Sequence, residues 1–387
     1  MSWHKLQLGD VIRLKRGHDL PSSARILGDV PIVSSSGVTG FHNLAKVTGP
    51  GVVTGRYGTL GEVHYIEGDY WPLNTALYVE DFKGNHPRYV AYLLMTLELG
   101  TQNAAGAVPG VNRNALHQLM VQVPDVAEQI RIASMLSTYD DLIETNRRRI
   151  ALLEESARLL YREWFVQLRF PGHEAVQIVD SIPAGWSLQP LSALIEINPR
   201  TPFEKGKNYP FVPMQALSEA SMLIGEHEER VISGGAKFRN LDTLLARITP
   251  CLENGKTGFV QFLTDDAPVA SGSTEFIVMR SRSMSPYWVY CLARSEAFRE
   301  HAIGSMAGSD GRQRVNPKCF DNFHALQAPA TVLEDFDRAM QPVFEQIEVL
   351  AQTNHRLQSA RNALLPQLMS GQLDVSSLTL TDPTLVE

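Results

Sequence analysis

The sequence predicts an α+β chain: two tandem mixed α/β domains separated by two long helices that form an antiparallel coiled coil, related by a pseudo-twofold axis. Three observations carry this expectation. Residues 136–164 keep apolar positions at alternating steps of three and four with no Gly or Pro, the spacing of a coiled-coil seam. Residues 332–368 repeat that seam near the end of the chain, and the features that precede the first seam return in the same order before the second. The length of 387 residues fits two or three domains, and an apolar share of 44% is enough for ordinary cores.

Taken in order, residues 3–12 open the chain as a short amphipathic segment. Residues 52–63 read as strand, glycine turn and strand, and 74–79 as a further strand. Residues 89–99 read as a helix with Val90, Leu93, Leu94 and Leu97 on one face, and 106–114 as a glycine-containing loop. The first seam follows, at Leu136, Tyr139, Ile143, Asn146, Ile150, Leu153, Ala157, Leu160 and Trp164. About 29 helical residues make a rod of roughly 43 Å, longer than one small domain needs for its own core.

After this rod the plan starts again. Trp3, Leu8 and Ile12 match Trp186, Leu191 and Ile195 at a constant offset of 183. Residues 245–260 echo the glycine turn, 273–278 the strand at 74–79, 287–292 the helix at 89–94, and 315–316 the Val-Asn pair at 111–112. The second seam holds Met340, Val343, Ile347, Leu350, Asn354, Leu357, Leu364 and Leu368. The expected divisions are a first domain at 1–125, a central helix at 126–170, a linker at 171–185, a second domain at 186–330, a distal helix at 331–374 and a tail at 375–387. Each seam contains one asparagine, Asn146 or Asn354, a residue that costs stability in an apolar seam but specifies register.

Charge and composition narrow the function. The net charge of −7 is uneven: residues 1–125 carry 10 Lys+Arg and 10 Asp+Glu, 126–170 carry 7 and 7, 171–330 carry 15 and 17, and 331–387 carry 3 and 8. Five of the seven excess negative charges thus sit in the last segment, which leaves room for local basic surfaces elsewhere. Cys251, Cys291 and Cys319 lack the spacing of a zinc site or a disulfide framework. With no signal-like start and no run of eighteen apolar residues, the expected location is the cytoplasm.

Catalytic motifs were sought and not found. There is no phosphate-binding GxxxxGK[ST] loop, no GxGxxG and no HExxH, and NPRT at 198–201 lacks the second proline and aromatic of an adenine-methyltransferase motif. Asp69, Asp81 and Lys83 loosely fit a Mg²⁺-dependent nuclease and form one alternative; a structural coiled-coil adaptor forms another. What remains are polar, glycine-rich loops that occur once per repeat. In the first domain they offer Ser35, Ser36, Thr39, His42, Arg56, Tyr57, Thr59, Asn112, Arg113 and Asn114. In the second they offer Arg247, Asn254, Lys256, Thr257, Arg312, Gln313, Arg314, Asn316 and Lys318. Arg, Lys, Asn and Gln have the donor and acceptor geometry that reads base edges in the major groove, and glycine lets backbone approach phosphates closely. The run Arg147, Arg148, Arg149 reads instead as a solvated helix face.

On these motifs the chain resembles the specificity subunit of type I restriction-modification systems over almost its full length. The pieces that carry the resemblance are RYGTLG at 56–61, PLNT at 72–75, EWF at 163–165 before FPG at 170–172, and LLPQLMSGQLD at 364–374. The second domain departs from the first, with ITPCLENG at 248–255 where the first has a tighter glycine turn. The resemblance implies a non-enzymatic reader of double-stranded DNA. Each recognition domain would read one half of a split target, and the helix pair would set the gap. It also implies docking to two methyltransferase subunits and, with restriction subunits, a full complex in which partners hold S-adenosylmethionine, ATP and Mg²⁺. This chain would hold no metal and no cofactor.

Overall fold

The computed structural model describes residues 3–97, 99, 110–232, 234–308 and 311–375, so residues 376–387 of the expected tail and 106–109 of the loop at 106–114 lie outside the described residues. By packing, the chain divides into two units, Met1–Glu144 with His355–Glu387, and Thr145–Asn354. Each unit therefore combines one globular region with part of each long helix, Val126–Tyr161 and Ala330–Met369.

In the first unit, strand Trp3–Gln7 pairs antiparallel with Met120–Pro124, which joins the opening of the chain to the segment just before the central helix. Strands Arg13–Arg16, Ala76–Asp81, Gly51–Gly55 and Val63–Ile66 form an antiparallel sheet in that order. A smaller sheet joins Gly37–His42, Val30–Ser34 and Trp71–Pro72, the last pair parallel. Helix Pro87–Met95 starts where His86 accepts a hydrogen bond from the Tyr89 N–H, with Pro87 preset for a first turn that needs no donor. It buries Tyr89, Val90, Leu93 and Leu94 in a core that also contains Ile132, Ala133 and Leu136 of the central helix and Leu368 and Met369 of the distal one. Arg361 of the distal helix is bound to Asp140 of the central helix at 2.5 Å.

The distal helix ends against the start of the chain. Gly371 has φ +73° and its N–H donates to the Leu368 carbonyl at 3.2 Å, a left-handed stop that favours glycine. A Cβ there would also lie 2.7 Å from the Trp3 ring. The SGQL motif is thus both a helix terminator and the seat of Trp3.

The second unit repeats this topology. Strand Ser187–Pro190 pairs with His324–Gln327. The order Ile195–Ile197, Phe276–Ser281, Thr243–Ala246, Thr257–Phe259 matches the four-stranded sheet of the first unit. A second sheet contains Glu228–Val231, Asn208–Val212, Ala270–Gly272 and Ala236–Phe238, again with one parallel pair. Helix Pro286–Arg294, capped by Ser285, takes the place of Pro87–Met95. The internal repeat read from residue types is a repeat of strand order and register.

Within this unit the two long helices run antiparallel. Asn146 Nδ2 donates to Asn354 Oδ1 at 2.9 Å, both residues buried, while Trp164 and Phe165 meet Phe336 at ring separations of 5.7 and 4.8 Å. Of the expected seam residues, Ile150, Ile347 and Leu350 are buried here, and Leu136, Ile143 and Leu368 are buried in the first unit. Tyr139, Leu153, Leu160, Val343, Leu357 and Leu364 are half-buried at its edges. The central helix is longer than the seam, starting at Val126, and closes in a π-helical turn at Arg162–Val166.

A buried asparagine pair in an apolar seam ties register to hydrogen bonding across it. Asn146→Leu alone should lower stability by about 1–2 kcal/mol, because Asn354 Oδ1 loses its buried donor. Asn146→Leu together with Asn354→Leu should recover most of that loss in urea unfolding, since both polar groups then leave the seam.

The central helix also carries a buried carboxylate that residue patterning did not reveal. Glu154 is 4% exposed and accepts hydrogen bonds from the Ser221 hydroxyl and the Met222 N–H, the latter at 3.0 Å. Burial pushes its carboxyl above the ordinary range, against the opposing pull of those hydrogen bonds and of Arg294 and Arg158. A raised value in the fold means that the native state holds the proton more tightly than the unfolded chain. This contribution to stability is then present at low pH and lost as pH rises through the raised value. Glu154→Gln should flatten that dependence and leave the chain at least as stable near neutrality, measured as urea midpoints against pH. A Glu154 contribution that instead grew with rising pH would contradict this sign.

Candidate nucleic-acid interface

Each unit presents a loop corner built by the same backbone hydrogen bonds. In the first, strand Gly51–Gly55 delivers Arg56, whose N–H donates to the Thr75 carbonyl at 2.9 Å, while the Val111 N–H donates to the Arg56 carbonyl at 3.0 Å. In the second, strand Thr243–Ala246 delivers Arg247, whose N–H donates to the Glu275 carbonyl at 3.0 Å, while the Val315 N–H donates to the Arg247 carbonyl at 2.9 Å. One arginine, one strand entry and one Val-Asn loop are therefore brought together twice. Gly55 is required in the first corner, because a Cβ there would lie 1.9 Å from the Thr59 carbonyl oxygen.

The side chains at the two corners differ. Arg56 stacks over Tyr57, with 4.5 Å from guanidinium carbon to ring centre, and donates to the Tyr57 hydroxyl at 3.3 Å and the Asn74 carbonyl at 3.5 Å. The Tyr57 ring is held against Gly110, where a Cβ would approach it to 2.5 Å. Arg56 has no carboxylate partner among the described residues, so its fork is braced by an aromatic face while keeping its charge available. Thr59 is half-buried on the same turn. In the second corner, Arg314 makes a bidentate pair with Glu275 at 2.8–3.0 Å, which lowers the Glu275 carboxyl below its usual range. The Arg314 fork is thus engaged within the fold. Glu275 was not singled out from sequence; the backbone hydrogen bonds place it where the first unit has Thr75, one position on from the sequence echo.

The Val-Asn loops prove to be helix starts. Asn112 Oδ1 accepts from the Asn114 N–H at 2.9 Å, and Asn316 Oδ1 accepts from the Lys318 N–H at 3.1 Å, so both carbonyls cap the turn that follows. Arg113, Asn114, Arg312 and Lys318 are exposed beside these caps, and Gln313 is half-buried and joined through its backbone to Thr249. Asn254 donates to Glu219 at 3.0 Å, and Lys256 reaches the Met214 carbonyl at 3.5 Å.

Three candidates belong to the interior, Thr257, His42 and Ser35. Thr257 is fully buried and donates to the Gly255 carbonyl at 3.1 Å. His42 is 4% exposed, accepts the Ile26 N–H at 3.0 Å and sits edge-on to Trp71. Polar residues at these positions close the backbone of their own loops. Ser36 and Thr39 are exposed on the Val30–Ser34 and Gly37–His42 hairpin, while Ser35 is buried beneath it.

The acidic candidates take structural partners. Asp69 accepts from the Gly49 N–H at 3.0 Å, Asp81 accepts from the Lys83 N–H at 2.8 Å, and Lys83 Nζ donates to the Gly9 carbonyl. Among the described residues no three His, Cys, Asp or Glu side chains form a group able to hold a metal. Arg147, Arg148 and Arg149 are exposed on the central helix. Among the described residues no helix is long and apolar enough to cross a membrane.

Comparison with known proteins agrees with this duplicated plan. Residues 1–155 match the family model described as type I restriction modification DNA specificity domain. The type I restriction enzyme MjaIX specificity subunit of Methanocaldococcus jannaschii is 24% identical over 310 residues, covering 75% of this chain and 70% of that protein. The EcoAI specificity subunit of Escherichia coli is 31% identical over 172 residues, 41% of this chain and 28% of its own. The crystal structure of a type I restriction-modification S subunit from M. genitalium shares the fold, with a TM-score of 0.60 over 95% of this chain and 96% of that one at 11% identity. Over residues 1–155 the chain is thus similar to the type I restriction modification DNA specificity domain, and in fold it is similar to the M. genitalium S subunit.

Proposed function

We propose that this chain reads a bipartite sequence in double-stranded DNA on behalf of a restriction-modification complex. The observation that carries this reading is the corner found twice, with Arg56 and Arg247 delivered by equivalent strands and fixed by equivalent backbone hydrogen bonds. Arginine held at a defined place, with exposed Asn, Arg and Lys beside it, supplies the donors that distinguish base edges and grip phosphates. Two such corners on one chain suit a target in two halves. Their unlike side chains, Tyr57 and Thr75 against Glu275 and Arg314, suit halves of different sequence.

In the same reading, the helix pair sets the gap between the halves. Helices of 36 and 40 residues extend about 54 and 60 Å at 1.5 Å per residue. That is the same order as the ~34 Å helical turn that separates half-sites in many duplex readers. The exposed outer faces of the pair dock two methyltransferase subunits, and restriction subunits complete the assembly in the cytoplasm. Methylation and cleavage belong to those partners, as do S-adenosylmethionine, ATP and Mg²⁺.

Selection from a randomised duplex pool by the chain assembled with its methyltransferase subunits tests this. Two fixed blocks separated by a constant unread gap are the expected result. A single contiguous block, or no enrichment, would overturn the bipartite reading.

A further inference from the structure

Beside the Arg247 corner, the second unit holds two adjoining clefts of about 710 and 500 Å³ that meet at Gly235 and Thr274. Five cations line them, Arg200, Lys205, Lys237 and Arg247 in the larger and Arg230 in the smaller, and no described lining residue is Asp or Glu. This runs against the surroundings, because residues 171–330 hold 15 Lys+Arg but 17 Asp+Glu. Of the nearby carboxylates, Asp242 is engaged by Arg280 at 2.6 Å, Glu275 by Arg314 at 2.8 Å and Glu204 by Lys207 at 2.6 Å, while Glu228 and Glu229 on the strand of Arg230 are exposed and do not line either cleft. None of the five lining cations forms an ion pair with a carboxylate among the described residues, although the charge of Arg247 helps to hold the Glu275 carboxyl low.

Two of the five are braced by aromatic faces. Arg230 stacks over Phe211, and Lys237 Nζ lies 5.2 Å from the centre of the Phe203 ring and donates to the Gly235 carbonyl at 3.3 Å. Arg247 adds a buried Nε without a hydrogen-bond partner. Gathering like charges in one open cleft raises their mutual repulsion, which a polyanion relieves. The matching corner of the first unit, after strand Arg13–Arg16, is different. There Asp19 accepts from the Asn74 amide and lies 3.5 Å from Arg16.

We propose that these joined clefts are a phosphate clamp peculiar to the second domain, in which a run of duplex backbone phosphates lies across Arg200, Lys205, Arg230 and Lys237. The proposal rests on the DNA-reading function above and adds an asymmetry to it. One half of the target is gripped largely through charge, the other largely through the braced Arg56 corner.

Each phosphate neutralised by the protein steepens the fall of log affinity with log salt by about 0.9. The experiment compares the full chain with a variant carrying Arg200→Ala, Lys205→Ala, Arg230→Ala and Lys237→Ala, binding a duplex of arbitrary sequence across a salt series. A control variant removes Arg169, Arg282, Arg338 and Arg356, the same charge from outside the clefts. The cleft variant should lose about 3.6 units of slope, and the control about one or less. Equal losses in the two variants would overturn the clamp while leaving DNA reading intact. No duplex binding by the unsubstituted chain at any salt would overturn both. A second measurement needs no substitution: duplex should protect Lys205 and Lys237 of the native chain from acetylation, and unchanged reactivity would count against the clamp.

Discussion

Phe344→Ala is expected to remove about 3–5 kcal/mol of stability from the second unit, the scale for emptying a large aromatic site in a packed core. Phe344 is 1% exposed on the distal helix, with ring separations of 4.9 Å to Phe259, 4.7 Å to Tyr287 and 5.7 Å to Tyr290. Those three neighbours belong to the strand that leaves the second glycine turn and to helix Pro286–Arg294, both described above. A truncated ring therefore leaves a void at the junction of helix, sheet and loop corner, where relaxation of any one element disturbs the others. Urea unfolding should show a lowered midpoint for the transition that includes this unit. Phe344→Leu, which refills much of the volume, should recover part of the loss. A change under 1 kcal/mol for the alanine variant would mean that the distal helix does not hold the second domain together.

Arg56→Ala is expected to weaken binding to the cognate duplex by about 1–3 kcal/mol, roughly tenfold to a hundredfold, if its fork reads a base edge. The geometry favours a reading function over a structural one. The guanidinium rests on Tyr57 and donates to no carboxylate among the described residues, so its removal strands no buried charge. Thermal stability should accordingly stay nearly unchanged. The loss should concentrate at one position of the target, seen when single-base variants of the duplex are compared. A loss spread evenly over all sequences, with a reduced salt slope, would assign Arg56 to phosphate. Arg56→Lys should not rescue discrimination, because an ammonium lacks the planar fork.

How much of this was legible in the residues depended on how local the cause was. Seam spacing marked both long helices, because a helical apolar stripe is set by neighbours three and four positions away. The repeat was legible through residues with strong local preferences, such as Trp3 and Trp186, the glycines and the Val-Asn pairs. The Val-Asn pairs were also misleading, since capping and base contact call for the same side chain, and Asn112 and Asn316 cap. His42 and Thr257 are polar residues whose burial depends on strands distant in sequence. Glu154 looked like one of several carboxylates on a solvated helix, and only the loop at 218–222 folding onto it makes it interior. Arg314 looked free until Glu275, 39 positions away, was placed against it. The cationic clefts drew residues from four separated segments, a pattern that no window of sequence displays.

The division of the DNA target between two independent readers is met most directly by exchanging residues 1–125 for the corresponding domain of a related specificity subunit and mapping methylated sites across a genome carrying the assembled system. The methylated sequence should change in one half only, with the other half and the length of the gap preserved. Changes in both halves, or in neither, would contradict the assignment of one half-target to each domain.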